Sequence, residues 1–272
     1  MTNILYIIII LWILGAPVSA QKMIGDIPLP SSKYTRIPMA EDSFGSWLRL
    51  QPLKAAGSDV LDFRDRIYKS GKDSTVAYVM DINISGRRME QCMDILVRLY
   101  TSFLWQSGEQ ENITFPLPGG YWLDWPDWRD GWRPKFKSIQ VAMQHIAQAD
   151  SSRKNLDTYL RTIYANSHTQ QFYHGYVQIA QDEIQIGDFI VLKGSKSHAV
   201  LITDLARDSL GNLIALIGHG DTPACQFHLL RYSSQQVWFP LDFNAKVLPL
   251  PIRRKMRWTG LRRFGNKKVN EE

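Results

Sequence analysis

The chain has 272 residues, room for one large domain or two small ones at roughly 100 to 200 residues each. With 44% hydrophobic and 21% charged residues it matches ordinary globular usage, which excludes a disordered, collagenous, coiled-coil or disulfide-scaffold chain. The formal charge of +6 sits in one place: eight basic residues stand against two acidic ones between Pro251 and Glu272, while the rest carries 24 of each, so the high pI does not describe a nucleic-acid-binding face.

Ile4 to Leu14 is an apolar run too short to span a bilayer comfortably, followed by Gly15, Pro17 and small residues up to Ala20. The pattern is that of a secretory signal at 1–20 cleaved after Ala20, leaving an exported, periplasmic or secreted protein that begins at Gln21 and has no transmembrane span. No Lys or Arg precedes the run, and an uncleaved anchor is the alternative. Residues 21–42, rich in Pro and Ser, read as an extended lead-in. A short helix capped by Ser43 follows, with Phe44, Trp47 and Leu48 on its apolar side.

Val76 to Ile84 has the content of a strand. After a turn at Ser85 and Gly86, a longer helix is expected over Met89 to Trp105, its face marked by Met89, Cys92, Met93, Leu96, Leu99, Tyr100 and Phe103. An aromatic segment then sets Trp122, Trp125, Trp128 and Trp132 among Asp and Arg residues. Such rings either stack on a sugar or other ligand, with Trp122, Trp125 and Trp128 as the candidate substrate-binding set, or pack onto the domain. A further helix is expected over Ser152 to Tyr164.

Ile186 to Asp221 reads as an antiparallel meander: DFIVLK, HAVLITDLA and LIALIGHG are strands joined by the turns GSKS and RDSLGN. His198, Val200, Ile202 and Asp204 share one face by the strand period of two. A connection centred near Asp208 sets His198 opposite His219, and a slip of two residues sets it opposite Asp221. Either residue can orient an imidazole base. The thiols are Cys92 and Cys225. Cys92 lies in the first turns of its helix, where the macrodipole favours thiolate. Cys92, His198 and His219 are therefore the candidate nucleophile, base and orienter. The competing explanations are a core thiol, a Cys92–Cys225 disulfide permitted by export, and, for Asp204, an ordinary strand-end residue. His219, Cys225 and His228 suggest metal ligands only loosely, no second motif supports them, and neither a metal nor another cofactor is expected.

The order of helix-borne Cys, strand-borne His and a polar residue on the next strand is similar to that of papain-like thiol hydrolases, including the NlpC/P60-type cell-wall peptidases. Six segments, SFGSWLRLQPLK, MDINISGRRMEQCMDILVRLY, NLDTYLRTIYANSHT, IQIGDFIVLKGSKSHAVLITDLA, PACQFHLL and RWTGLRRF, resemble a secreted bacterial family known as domain of unknown function 4846. The resemblance covers nearly the whole mature chain and implies a single α+β domain over 43–264 that includes Trp258 to Phe264, followed by a disordered basic tail at 265–272. It brings no established activity. Ser197 stands where the family usually has Gly before the strand His, and His219 where it usually has Gln. The expected fold is α+β, an antiparallel sheet packed against helices in a papain-like arrangement. The expected function is an exported cysteine hydrolase acting on amide or ester bonds of envelope peptide or glycan. The alternative is a non-catalytic envelope binding or scaffolding protein with Cys92 in its core.

Overall fold

The computed structural model describes residues 21–268; the expected signal at 1–20 and the last four residues lie outside them. In chain order the elements are β1 (Tyr34–Arg36), α1 (Phe44–Arg49), β2 (Val60–Leu61), β3 (Ile67–Lys69), β4 (Val76–Val79) and α2 (Cys92–Gln106). Next come β5 (Thr114–Pro116), β6 (Trp122–Asp124), α3 (Trp125–Arg129), β7 (Trp132–Lys137), β8 (Gln140–His145), α4 (Arg153–Asn166), α5 (Thr169–Gly175) and β9 (Tyr176–Gln178). The second half is almost all strand: β10 (Phe189–Leu192), β11 (His198–Asp208), β12 (Leu213–His219), β13 (His228–Leu230), β14 (Phe239–Pro240) and β15 (Leu261–Lys267).

One antiparallel sheet organises these pieces in the order β4-β13-β12-β11-β10-β15-β9, with β1 added to the far end of β11 and β14 to β12. Helix α2 packs across β11 and β12, so the architecture is α+β. No helix among the described residues is long and apolar enough to cross a membrane.

The expected meander is β10–β11–β12. One helical and one strand expectation shift by a few residues. The helix expected from Met89 begins at Cys92, because Glu90 is buried and its carboxylate holds Arg87 at 2.6 Å and Arg98 at 2.7 Å, which commits the preceding turn. Met89 is consequently outside the helix and 37% exposed, while Ile95, Val97 and Leu104 join the buried face. The strand expected to run to Ile84 stops at Val79, where the chain turns and the Asp81 amide donates to the Pro52 carbonyl at 2.8 Å.

Both ends of the described residues carry more regular structure than composition suggested. Tyr34–Arg36, inside the expected lead-in, pairs with Ala206–Asp208. The cause is Asp204, fully buried on β11, which accepts from Arg36 at 2.7 Å and from Arg49 at 2.6 and 2.8 Å, tying β1 and α1 to the central strand. Gly265–Lys267, expected in the tail, belong to β15, where Lys267 donates to Thr114 at 3.1 Å. Phe264 fastens that strand to the core by stacking on Tyr100 at 4.5 Å and against Phe189 at 4.6 Å. The Gly-Asp pair before β10 serves packing and pairing. Gly187 has φ +94° and a Cβ there would meet the Phe44 ring at 2.7 Å, whereas Asp188 binds Arg263 at 2.7 and 2.9 Å.

Asp204→Ala leaves two guanidinium groups facing a buried position without their anion, so a loss of about 3 kcal/mol is expected in urea denaturation of the mature protein. A loss below about 1 kcal/mol, the size of an exposed ion pair, would contradict this role for Asp204.

Candidate active site

Cys92 is the first residue of α2 and is 7% exposed, on the wall of a cleft of about 820 Å³. The cleft runs from the turn before α2 across to α4 and is also bordered by Arg88, Arg161, Tyr164, Ser197 and Thr222. Thr222 closes one rim by donating its hydroxyl to the Gln91 side chain at 2.8 Å. The thiol faces the backbone amides of Met93 and of Ala199, the residue after His198 on β11, while His198 is not among the residues lining the cleft.

The register of β11 against β12 pairs Leu201 with Gly218 and Ile202 with Ile217. Continued outward, it sets Asp221 opposite His198 and His219 opposite Val200, so the two imidazoles meet on the diagonal. Their hydrogen bond is direct, His198 Nε2 to His219 Nδ1 at 2.8 Å, with rings edge-on at 77°. His198 Nδ1 is thus the ring nitrogen that His219 leaves free. Asp221 turns to Tyr68, whose hydroxyl donates to it at 2.7 Å. It remains near enough to His198 to act on it electrostatically.

Burial sets the charge state of the thiol and the two imidazoles. It pushes the Cys92 thiol up to about 12, helped by the negative charges of Asp94 and Asp221 and opposed by the two amides at the sulfur. The helix terminus does not prevail over desolvation, so the resting state is a thiol rather than the expected thiolate. Burial also pushes His198 down to about 4, with Asp221 opposing and Arg254 assisting, and holds His219 well below the usual imidazole range. At neutral pH the Cys92, His198 and His219 side chains are all uncharged.

Cys225 is fully buried beside Val60, Val76 and Val79, and both cysteines are free thiols, so the Cys92–Cys225 disulfide alternative is not found. The proposed aromatic binding set is corrected by packing. Trp125 and Trp128 are 1% and 3% exposed and meet the Tyr159 ring edge-on at 5.7 and 5.8 Å, while Arg133 covers Trp128. Trp122 is half-buried, edge-on to Tyr176 and covered by the Lys267 ammonium. These faces are occupied by protein because packing Trp125 and Trp128 onto Tyr159 buries a large apolar area. Among the described residues no cluster of three His, Cys, Asp or Glu side chains is arranged to hold a metal ion.

Sequence reasoning missed the cleft-lining Arg88, Arg161 and Tyr164 and the direct pairing of His219 with His228 across β12 and β13. Arg88 lies in the turn before α2 and Arg161 and Tyr164 lie on α4, with no common motif. The last is a cross-strand neighbour that the short HLL strand gave too little periodicity to register.

The model of a family described as Domain of unknown function (4846) matches residues 25–258, and the chain belongs to that family. No curated protein and no solved structure matches it.

The neutral imidazoles make stability depend on acid. His198 and His228 fall from the usual 6.5 to about 4 in the folded protein, so between those values the unfolded chain takes up protons that the folded chain refuses. Stability therefore falls as pH drops from about 6.5 to about 4 and recovers on return, by up to about 1.4 kcal/mol per pH unit for each such group. Urea denaturation at several pH values checks this: His219→Gln, which removes one group of this kind, should flatten the slope. An unchanged slope would contradict it.

Proposed function

We propose that this member of the family is an exported cysteine hydrolase that cleaves amide or ester bonds of cell-envelope material. Cys92 is the nucleophile, His198 the base and His219 its orienter. The observation that supports the reading is the 2.8 Å His198–His219 hydrogen bond, made by a strand whose Ala199 amide neighbours a thiol that opens the first turn of a helix on a large cleft. The chain order thiol, imidazole, polar orienter is also that of papain-like enzymes, so a papain-like arrangement of these elements belongs to the same proposal.

The resting pair is neutral, so attack and proton transfer are coupled. As the Cys92 sulfur bonds to the scissile carbonyl carbon, its proton passes to His198 Nδ1 and the carbonyl π electrons move to oxygen. The backbone amides of Met93 and Ala199 are the donors that this reading assigns to that oxyanion. Collapse breaks the bond to the amine or alcohol, which takes the proton from His198 and leaves an acyl-Cys92 thioester. A water, deprotonated by His198, then attacks the thioester and regenerates the thiol. His219 accepts the His198 Nε2–H and stabilises the imidazolium while it exists.

One observation favours the alternative of a non-catalytic envelope-binding protein: Cys92 is buried and its thiol is held up at about 12. Acyl trapping separates the two. Incubated with an activated ester, the mature protein should gain one acyl group mapped to Cys92. His198→Ala should slow that acylation by about a hundredfold or more, the usual contribution of a general base. No adduct on Cys92, or equal rates with and without His198, would leave the binding reading in place.

A further inference from the structure

We propose that His228 is a positioning residue that sets the tautomers of His219 and His198, so that the polarity of one backbone carbonyl is passed through three imidazoles to the Cys92 thiol. The inference rests on the reading of Cys92, His198 and His219 as a hydrolytic triad.

His228 on β13 stands directly opposite His219 on β12, with ring centroids 4.5 Å apart and planes at 54°. Both rings are fully buried. His228 Nδ1 lies 3.0 Å from the Gln226 carbonyl oxygen, and a carbonyl only accepts, so that nitrogen carries the proton. In a neutral ring Nε2 then holds a lone pair. It is buried without a hydrogen-bond partner, and so is His219 Nε2 in the adjoining ring.

Two tautomer sets are open to the His198–His219 pair. In one, His198 Nε2 donates to His219 Nδ1, which leaves the His219 proton on Nε2, in the ring whose centroid lies 4.5 Å from that of His228. His198 Nδ1 is then a free acceptor for the thiol proton. In the other, His219 Nδ1 donates, its Nε2 becomes a second unpartnered lone pair in the ring adjoining that of His228, and His198 Nδ1 carries a proton and cannot act as a base. Two lone pairs in a sealed, weakly polarisable interior repel, whereas an N–H beside a lone pair is attracted. The arrangement that suits the burial is thus the one that arms His198.

The origin of the chain is held firmly. Gln226 is 4% exposed, its side-chain oxygen accepts from Lys54 at 3.0 Å and from the Leu61 amide at 3.1 Å, and its side-chain nitrogen donates to the Ile82 carbonyl at 3.0 Å. The carbonyl that fixes His228 is therefore carried by a residue clamped from two other segments.

The test uses the full mature chain with ¹⁵N-labelled histidine and long-range ¹H–¹⁵N spectra at neutral pH. The expected tautomers are Nδ1–H for His228 and Nε2–H for both His219 and His198. His228→Phe keeps a ring and removes the lone pair, and should give a mixture of His198 tautomers and about tenfold slower acylation of Cys92. His228→Gln, whose side-chain oxygen can accept from His219 Nε2, should restore both. Nδ1–H on wild-type His198, or spectra and rates unchanged in His228→Phe, would overturn the proposal. If His228→Phe does not fold, the wild-type tautomers and His228→Gln decide it. The predicted tautomers with an unreactive Cys92 would overturn the hydrolase and keep the tautomer chain. A reactive Cys92 with a His198 tautomer indifferent to His228 would do the reverse.

Discussion

Strand β11 is buried at every residue except Arg207, and this constraint shapes both the fold and the candidate site. A polar group on such a strand has no water to turn to, and each unpaired one costs about 1–3 kcal/mol or more. Thr203 accordingly donates to the Leu216 carbonyl at 3.1 Å, and Asp208 accepts from the Leu210 and Asn212 amides in the turn that follows. Asp204 draws in two arginines, and with them β1 and α1. At the other end His198 finds His219. The same rule that closes the lead-in onto the sheet brings two imidazoles together at the other end of the strand.

The constraint also decides how a hydrolase could work here. A helix terminus favours an anion by about 0.3–1 kcal/mol. Burial of the Cys92 sulfur works against that and prevails, as the thiol held up at about 12 shows. A preformed thiolate–imidazolium pair is therefore not the resting state, and nucleophile and base must exchange the proton as the carbonyl arrives. Such a site depends on the base presenting a lone pair at the correct nitrogen, which makes the tautomer of His198 a structural variable rather than a detail.

Much of the fold was legible in the sequence because it is written in short-range patterns. Ser43 caps α1, accepting from the Ser46 amide, and Ser152 caps α4, accepting from Asn155. The strands β10 to β12 are apolar runs set off by Gly and Asn turns, but the period of two that set His198 and Asp204 on one face is broken by a bulge between Ile202 and Asp204. What was not legible depends on pairing across the chain. Asp204 looked like an ordinary strand end because its partners lie 155 and 168 residues away. The orientation of the tryptophans was equally hidden: Trp125 and Trp128 are spaced like an exposed aromatic motif, and only the position of Tyr159 on α4 shows them to be core. For the site, chain order marked Cys92, His198 and His219, but burial, which determines whether a thiol is ionised, has no local signature. His228 belongs to the same class, a neighbour made by β12–β13 pairing.

The central claim is that Cys92 owes its reactivity to His198 rather than to mere access. The most direct measurement is alkylation of the two thiols in the native mature protein at pH 6 to 7, mapped by mass, with and without His198. The account predicts that Cys92 is labelled much faster than Cys225, and that His198→Ala removes the preference while circular dichroism is unchanged. Equal, sluggish labelling of both thiols, or a preference that survives the loss of His198, would contradict it.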